Sequence, residues 1–183
     1  TWIANDGANN SLSCEQTVTV ADAQVPVITC PAPINIDADA NACEAASVTI
    51  VEPTATDNCA TTFTFTGTRD DGDDLSDPYP VGVTTITWIA NDGANNSLSC
   101  EQTVTVADAQ VPVITCPAPI NIDADANACE AASVTIVEPT ATDNCATTFT
   151  FTGTRDDGDD LSDPYPVGVT TITWIANDGA NNS

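Results

Sequence analysis

The stretch VTTITWIANDGANNSLSCEQTVTV, residues 83–106, reads as a strand, a tight polar loop and a second strand. Its first part sets Ile86, Trp88 and Ala90 on one face, and its last part does the same with Val104 and Val106. Alternation of apolar and polar side chains is the period of a half-buried β-strand, because successive side chains point to opposite faces. The same period recurs outward along the chain. TTFTFTGT (residues 61–68) alternates Phe63 and Phe65 with threonine, and VPVITC (25–30), INI (34–36) and ASVTIV (46–51) read as further short strands. Proline, Asp-Gly and Asn-Asp punctuate these segments, as turn chemistry requires. No segment carries a helical stripe. The pattern predicts an all-β chain.

The eleven residues TWIANDGANNS occur at 1–11, 87–97 and 173–183, and residues 1–97 are identical to 87–183, a period of 86. This is too long for helical solenoid units of roughly 33–47 residues and suits one small domain per repeat. Both ends fall inside the same motif, so the chain is expected to be a window on a longer array. A strand ends at Val20 and again at Val106, and a short polar joint then leads to a proline and a new strand. The expected division is therefore residues 1–20 as the last two strands of a preceding repeat, 21–106 as a complete β-sandwich, and 107–183 as a repeat lacking its last strand.

Composition narrows the function. There are 27 acidic residues against two basic ones, Arg69 and Arg155, giving a formal net charge of −25. Nucleic acid and anionic membrane need a cationic surface, so neither is an expected partner. No apolar run is long enough to suggest membrane insertion in this window. The chain has no His and no Lys. This removes a histidine general base, a Schiff-base lysine and imidazole-liganded zinc, and an enzyme is not expected. Cysteines lie at 14, 30, 43, 59, 100, 116, 129 and 145, never as Cys-x-x-Cys. Such a set reads as disulfides, and hence as an oxidising extracellular or cell-surface setting.

At PVITCP (26–31), PTATDNC (53–59), PVGVTTIT (80–87), the Asp-Gly-Ala-Asn-Asn loop (92–96) and the late Cys100 before TVTV, the chain resembles the hyalin repeat (HYR) family. WIANDGANN and the acidic insertion RDDGDDLSD (69–77) depart from the usual family pattern. The resemblance implies a non-catalytic, extracellular, immunoglobulin-like β-sandwich of about seven strands per repeat. In tandem this gives a beads-on-a-string rod, as in adhesive and cell-surface proteins.

In an immunoglobulin-like order the first strand often lies parallel to the last. Cys30 precedes Ile34 by four residues and Cys100 precedes Val104 by four, so parallel INI and TVTV would bring the two sulfurs level. This favours Cys30–Cys100 with Cys43–Cys59, and by repetition Cys129 with Cys145. Cys30–Cys43 with Cys59–Cys100, or links across the joint from Cys14 to Cys30 and from Cys100 to Cys116, remain alternatives.

The acids cluster in loops: Asp37 and Asp39, Asp57, then Asp70, Asp71, Asp73, Asp74 and Asp77, then Asp92, with Asp22 and Asp108 in the joints. All of these but Asp57 are singled out as candidate calcium ligands. Ca²⁺ takes six to eight oxygens in flexible geometry, and crowded carboxylates invite a hard cation. Strand counting places the DADAN and RDDGDDLSD loops at the exit pole of one domain and the TATDNC and ANDGANN loops at the entry pole of the next, so acids from both poles are expected to converge on the joint containing Asp108. Salt-screened solubility is the alternative use of these acids. Asn9, Asn95 and Asn181 match the N-glycan acceptor pattern Asn-x-Ser. The expected function is a structural repeat of an extracellular filament or stalk. Its expected partners are neighbouring repeats, with lateral self-association into fibres. The alternative is an adhesin that grips glycans through loops, with Tyr79 as the available loop aromatic.

Overall fold

A computed structural model describes residues 1–183. The chain is all-β and immunoglobulin-like, with no helix. Around the stretch at 83–106, four strands lie in one sheet in the order Ile34–Asp37, Ser97–Ala107, Gly82–Asn91, Thr64–Arg69. The edge pairing is parallel, with Val104 opposite Ile34 and Val106 opposite Ile36. In that register Cys30 bonds Cys100, with Cα atoms 5.9 Å apart. Two antiparallel ribbons accompany the sheet: Val27–Thr29 with Thr54–Thr56, and Glu44–Ala45 with Tyr79–Pro80. The inward positions are closed to solvent: Ile86 and Ala90 at 0% exposure, Trp88 at 2%, Val104 at 0%. Phe63 and Phe65 share the half-buried face of their segment, ring centroids 6.5 Å apart.

The chain packs as two compact units, residues 1–31, 52–67 and 87–101 in one, and 32–51, 68–86 and 102–183 in the other. In the first, Trp2–Asn5 and Ser11–Cys14 form a hairpin. In the second, three ribbons repeat the pairings of the first repeat: Val113–Thr115 with Thr140–Thr142, Glu130–Ala131 with Tyr165–Pro166, and Thr150–Arg155 with Ile172–Asn177.

Three expectations are corrected. Ala46–Val51 alternates half-buried Val48 and Ile50 with exposed neighbours, as a strand would, yet forms no ladder. Cys43 does not bond Cys59; it bonds Cys145, 102 residues away, with Cα atoms 4.9 Å apart. Likewise Cys129 does not bond Cys145, and both Cys59 and Cys129 are free and exposed. The physical reason lies in the strands that carry them. Glu44–Ala45, beside Cys43, is taken by Tyr79–Pro80, whereas Thr54–Thr56, before Cys59, is taken by Val27–Thr29. Nearness in sequence is therefore not nearness of backbone, and Cys43 packs in the same unit as Cys145 and not with Cys59.

Candidate metal centre

The polar loop Asn91–Asn96 is built by one carboxylate. Asp92 Oδ1 accepts from the N–H groups of Ala94 and Asn96, at 2.7 and 3.0 Å, and Oδ2 accepts from Asn96 Nδ2 at 2.7 Å. Gly93 and Asn95 adopt positive φ, which lets the chain close over the aspartate. The same loop forms around Asp6 and Asp178. Burial would raise the Asp92 pKa, but the donors from Asn96 and Ala94 outweigh it and hold the carboxyl below its ordinary value of 3.8. Asp178 is lowered by the same balance.

Two more loops come to this one. Asn96 Nδ2 also donates to the Asp22 carbonyl, and Asn182 Nδ2 to the Asp108 carbonyl, tying each loop to a joint. Asp57 Oδ1 accepts from the N–H groups of Cys59 and Ala60, and Asp143 Oδ1 from those of Cys145 and Ala146, so this aspartate shapes the turn after its strand. As a result, Asp22, Asp57 and Asp92 bring one carboxylate oxygen each within 4.8 Å of one another, and Asp108, Asp143 and Asp178 do the same. Asp57 Oδ2 and Asp143 Oδ2 are buried with no hydrogen-bond partner. A buried carboxylate oxygen without a donor is costly. Nothing basic in the chain answers it, because the only cations, Arg69 and Arg155, are engaged elsewhere. An all-oxygen, all-carboxylate set suits a hard divalent cation such as Ca²⁺ and has no nitrogen or sulfur donor for zinc.

Of the sequence candidates, Asp22, Asp92 and Asp108 fall into these two groups. The others do not. Asp37 ends a strand, and Asp39 Oδ2 accepts from Ala46 N–H at 2.9 Å to close a turn. Asp70, Asp71 and Asp77 shape the acidic loop by accepting main-chain N–H groups of Thr85, Asp73 and Asp74. Asp73 and Asp74 are exposed. At the loop's heart lies Arg69, its side chain 0% exposed. Its guanidinium donates to the carbonyls of Asp74, Asp77 and Pro78 and to the Asp71 carboxylate, and it stacks 3.9 Å from the Tyr79 ring centroid. The Arg69 bond holds the Asp71 carboxyl below its ordinary value. Tyr79 is 1% exposed, so it is not a loop aromatic open to glycans. Asn9, Asn95 and Asn181 are exposed on positive-φ turns.

Asp57, Asp143 and Asp178 were not singled out as ligands from sequence. Strand counting brings the TATDNC and ANDGANN loops to the joint, but a lone aspartate in an Asp-Asn-Cys turn carries no ligand spacing of its own.

Comparison with known proteins gives the same architecture a family. The chain is 32% identical over 185 residues to Hyalin of Lytechinus variegatus, covering 99% of this chain and 33% of that protein. Against Hyalin of Strongylocentrotus purpuratus it is 30% identical, covering 99% of this chain and 15% of that protein. It is 29% identical over 173 residues to Sushi, von Willebrand factor type A, EGF and pentraxin domain-containing protein 1 of Rattus norvegicus, covering 92% of this chain and 4% of that protein. The chain thus spans about a third or less of these relatives. With its disulfides, this kinship makes it an extracellular or cell-surface repeat. The HYR domain model matches residues 21–106 and 107–183, nearly the whole of a chain already seen to be all-β, disulfide-bonded and periodic, and the chain therefore belongs to the HYR domain family.

Proposed function

We propose that the chain is a structural, non-catalytic segment of an extracellular filament or cell-surface stalk, in which consecutive HYR domains are stiffened where they join by calcium. One observation carries the reading: each joint aspartate, Asp22 or Asp108, meets two loop aspartates, and one of these has a buried oxygen with no donor. A cation held there would fix the joint to the domain that follows it. Asp22, Asp57 and Asp92 would hold one ion, and Asp108, Asp143 and Asp178 a second. Each ion would supply the positive charge that the chain lacks. Neighbouring repeats are the primary partners in this reading, and lateral association of copies would turn a stalk into a fibre.

The test is thermal unfolding in calcium and in chelator. At a free calcium concentration of 100 times the dissociation constant, the folded state gains about 2.7 kcal/mol per site, a rise in Tm of several degrees. Unchanged Tm would remove calcium from the reading. Titration calorimetry is expected to count two ions per chain, falling to one in Asp143→Asn.

A further inference from the structure

Beyond this reading, and independent of it, lies the bond between Cys43 and Cys145. Cys145 is the translational copy of Cys59, and Cys129 is the copy of Cys43. The bond therefore joins the Cys43 position of one repeat to the Cys59 position of the next. We propose that it is a repeat-to-repeat staple, and that the exposed thiols of Cys59 and Cys129 are open half-staples, each competent to bond a further repeat of the same sequence. Hyalin-like kinship does not imply such a link; the local placement of two loops does.

The loop that carries Cys43 is fastened to the joint by its backbone. Ala38 N–H donates to the Ala107 carbonyl at 2.8 Å, and Asn41 N–H donates to Gln110 Oε1 at 2.9 Å. From the other side, Asn144 Nδ2 donates to the Ala42 carbonyl. Asp143 Oδ1 holds the N–H of Cys145 at 2.9 Å and so aims the turn. These contacts do not depend on sulfur. The separation of 4.9 Å between the Cα atoms lies in the ordinary range for a disulfide. The chain also supplies an internal control. Asn144 and Cys145 are half-buried, whereas the identical Asn58 and Cys59 are exposed. The second repeat's turn is covered where the first repeat's Cys43 loop meets it; the first repeat's own turn is open.

Formation breaks two S–H bonds and makes one S–S bond. The two protons and two electrons pass to a disulfide oxidant, whose S–S bond breaks and which leaves as a dithiol. The consequence is topological. Cys30–Cys100 closes the first repeat, and Cys43–Cys145 spans the joint between Cys100 and Cys116. The two repeats then stay covalently joined even where the backbone between them is cut.

This gives the experiment. A specific protease site is inserted between Gln110 and Val111 of the whole chain, and the oxidised protein is cleaved and run without reductant. The two pieces are expected to migrate together, to separate on adding reductant, and to separate without reductant in the Cys145→Ser variant. Separation of the unsubstituted pieces without reductant would overturn the proposal in favour of local Cys43–Cys59 pairing. Pieces that stay joined in Cys145→Ser would overturn it in favour of some other bridge. Thiol counting on the denatured, monomeric chain without the inserted site is a second measure. Four reactive thiols, those of Cys14, Cys59, Cys116 and Cys129, support the staple, and two refute it.

Discussion

Arg69 shows how one residue can organise a loop that sequence reading treats as a charge cluster. Five aspartates in RDDGDDLSD suggest a cation site, yet the cation that orders them is the arginine at their head, which donates to three carbonyls and the Asp71 carboxylate and lies 3.9 Å from that of Asp73. Arg69→Ala would leave those carbonyls short of donors, and chemical denaturation is expected to show a loss on the order of 2 kcal/mol or more. Gly153 is constrained by packing. A Cβ there would lie 2.9 Å from both Leu161 Cδ1 and Trp174 Cζ3, so Gly153→Ala should cost about 1–3 kcal/mol in the same measurement. The loop aspartates add a pH signature. The folded-state pKa of Asp92 and Asp178 lies below the ordinary 3.8. Their contribution is therefore present above that ordinary value and is lost as pH falls through the depressed one. Acid unfolding followed by circular dichroism should fall off less steeply in the Asp92→Asn, Asp178→Asn double variant.

Identical elements in this chain take different structures, which isolates what a strand needs. Ile34–Asp37 is a strand because Ser97–Ala107 lies beside it, while its copy at 120–123 has no such neighbour and forms none. Val104 and Val106 are 0% and 2% exposed, but their copies Val18 and Val20 are 82% and 89% exposed. The alternating pattern is the same; only the partner differs. In the second unit this leaves a groove of about 820 Å³ whose lining includes Ile120, Ile122, Val134, Ile136 and Trp174. A peptide with the sequence of residues 97–107 is expected to bind there, raise Tm and shift the tryptophan emission; an unaltered melt would mean the groove does not accept a strand. At the same scale, the Cys30–Cys100 bond closes a loop of 70 residues. Cys30→Ser should cost about 4 kcal/mol, read from denaturant midpoints.

At the scale of the molecule, the joint is where sequence reading and structure part. The Cys30–Cys100 link was legible as the favoured pairing because, in the parallel order of an immunoglobulin-like sheet, the equal four-residue offsets from Cys30 to Ile34 and from Cys100 to Val104 bring the two sulfurs level, as they are in the structure. The Cys43 link was not, because sequence offers Cys59 and Cys145 as identical candidates and only packing separates them. Asp22 and Asp92 were legible as acids near a joint. Asp57 and Asp143 gain their place from turns whose partners lie far along the chain.

Periodicity, side-chain alternation and composition by themselves determined an all-β chain of identical disulfide-bearing repeats with no histidine or lysine for catalysis. Those are local or countable properties, and every copy shares them. Only the tertiary structure decided which copy of a cysteine bonds which, which aspartates meet, and which copy of a strand is paired. An exact repeat makes the copies indistinguishable in sequence, and only contact with different neighbours tells them apart.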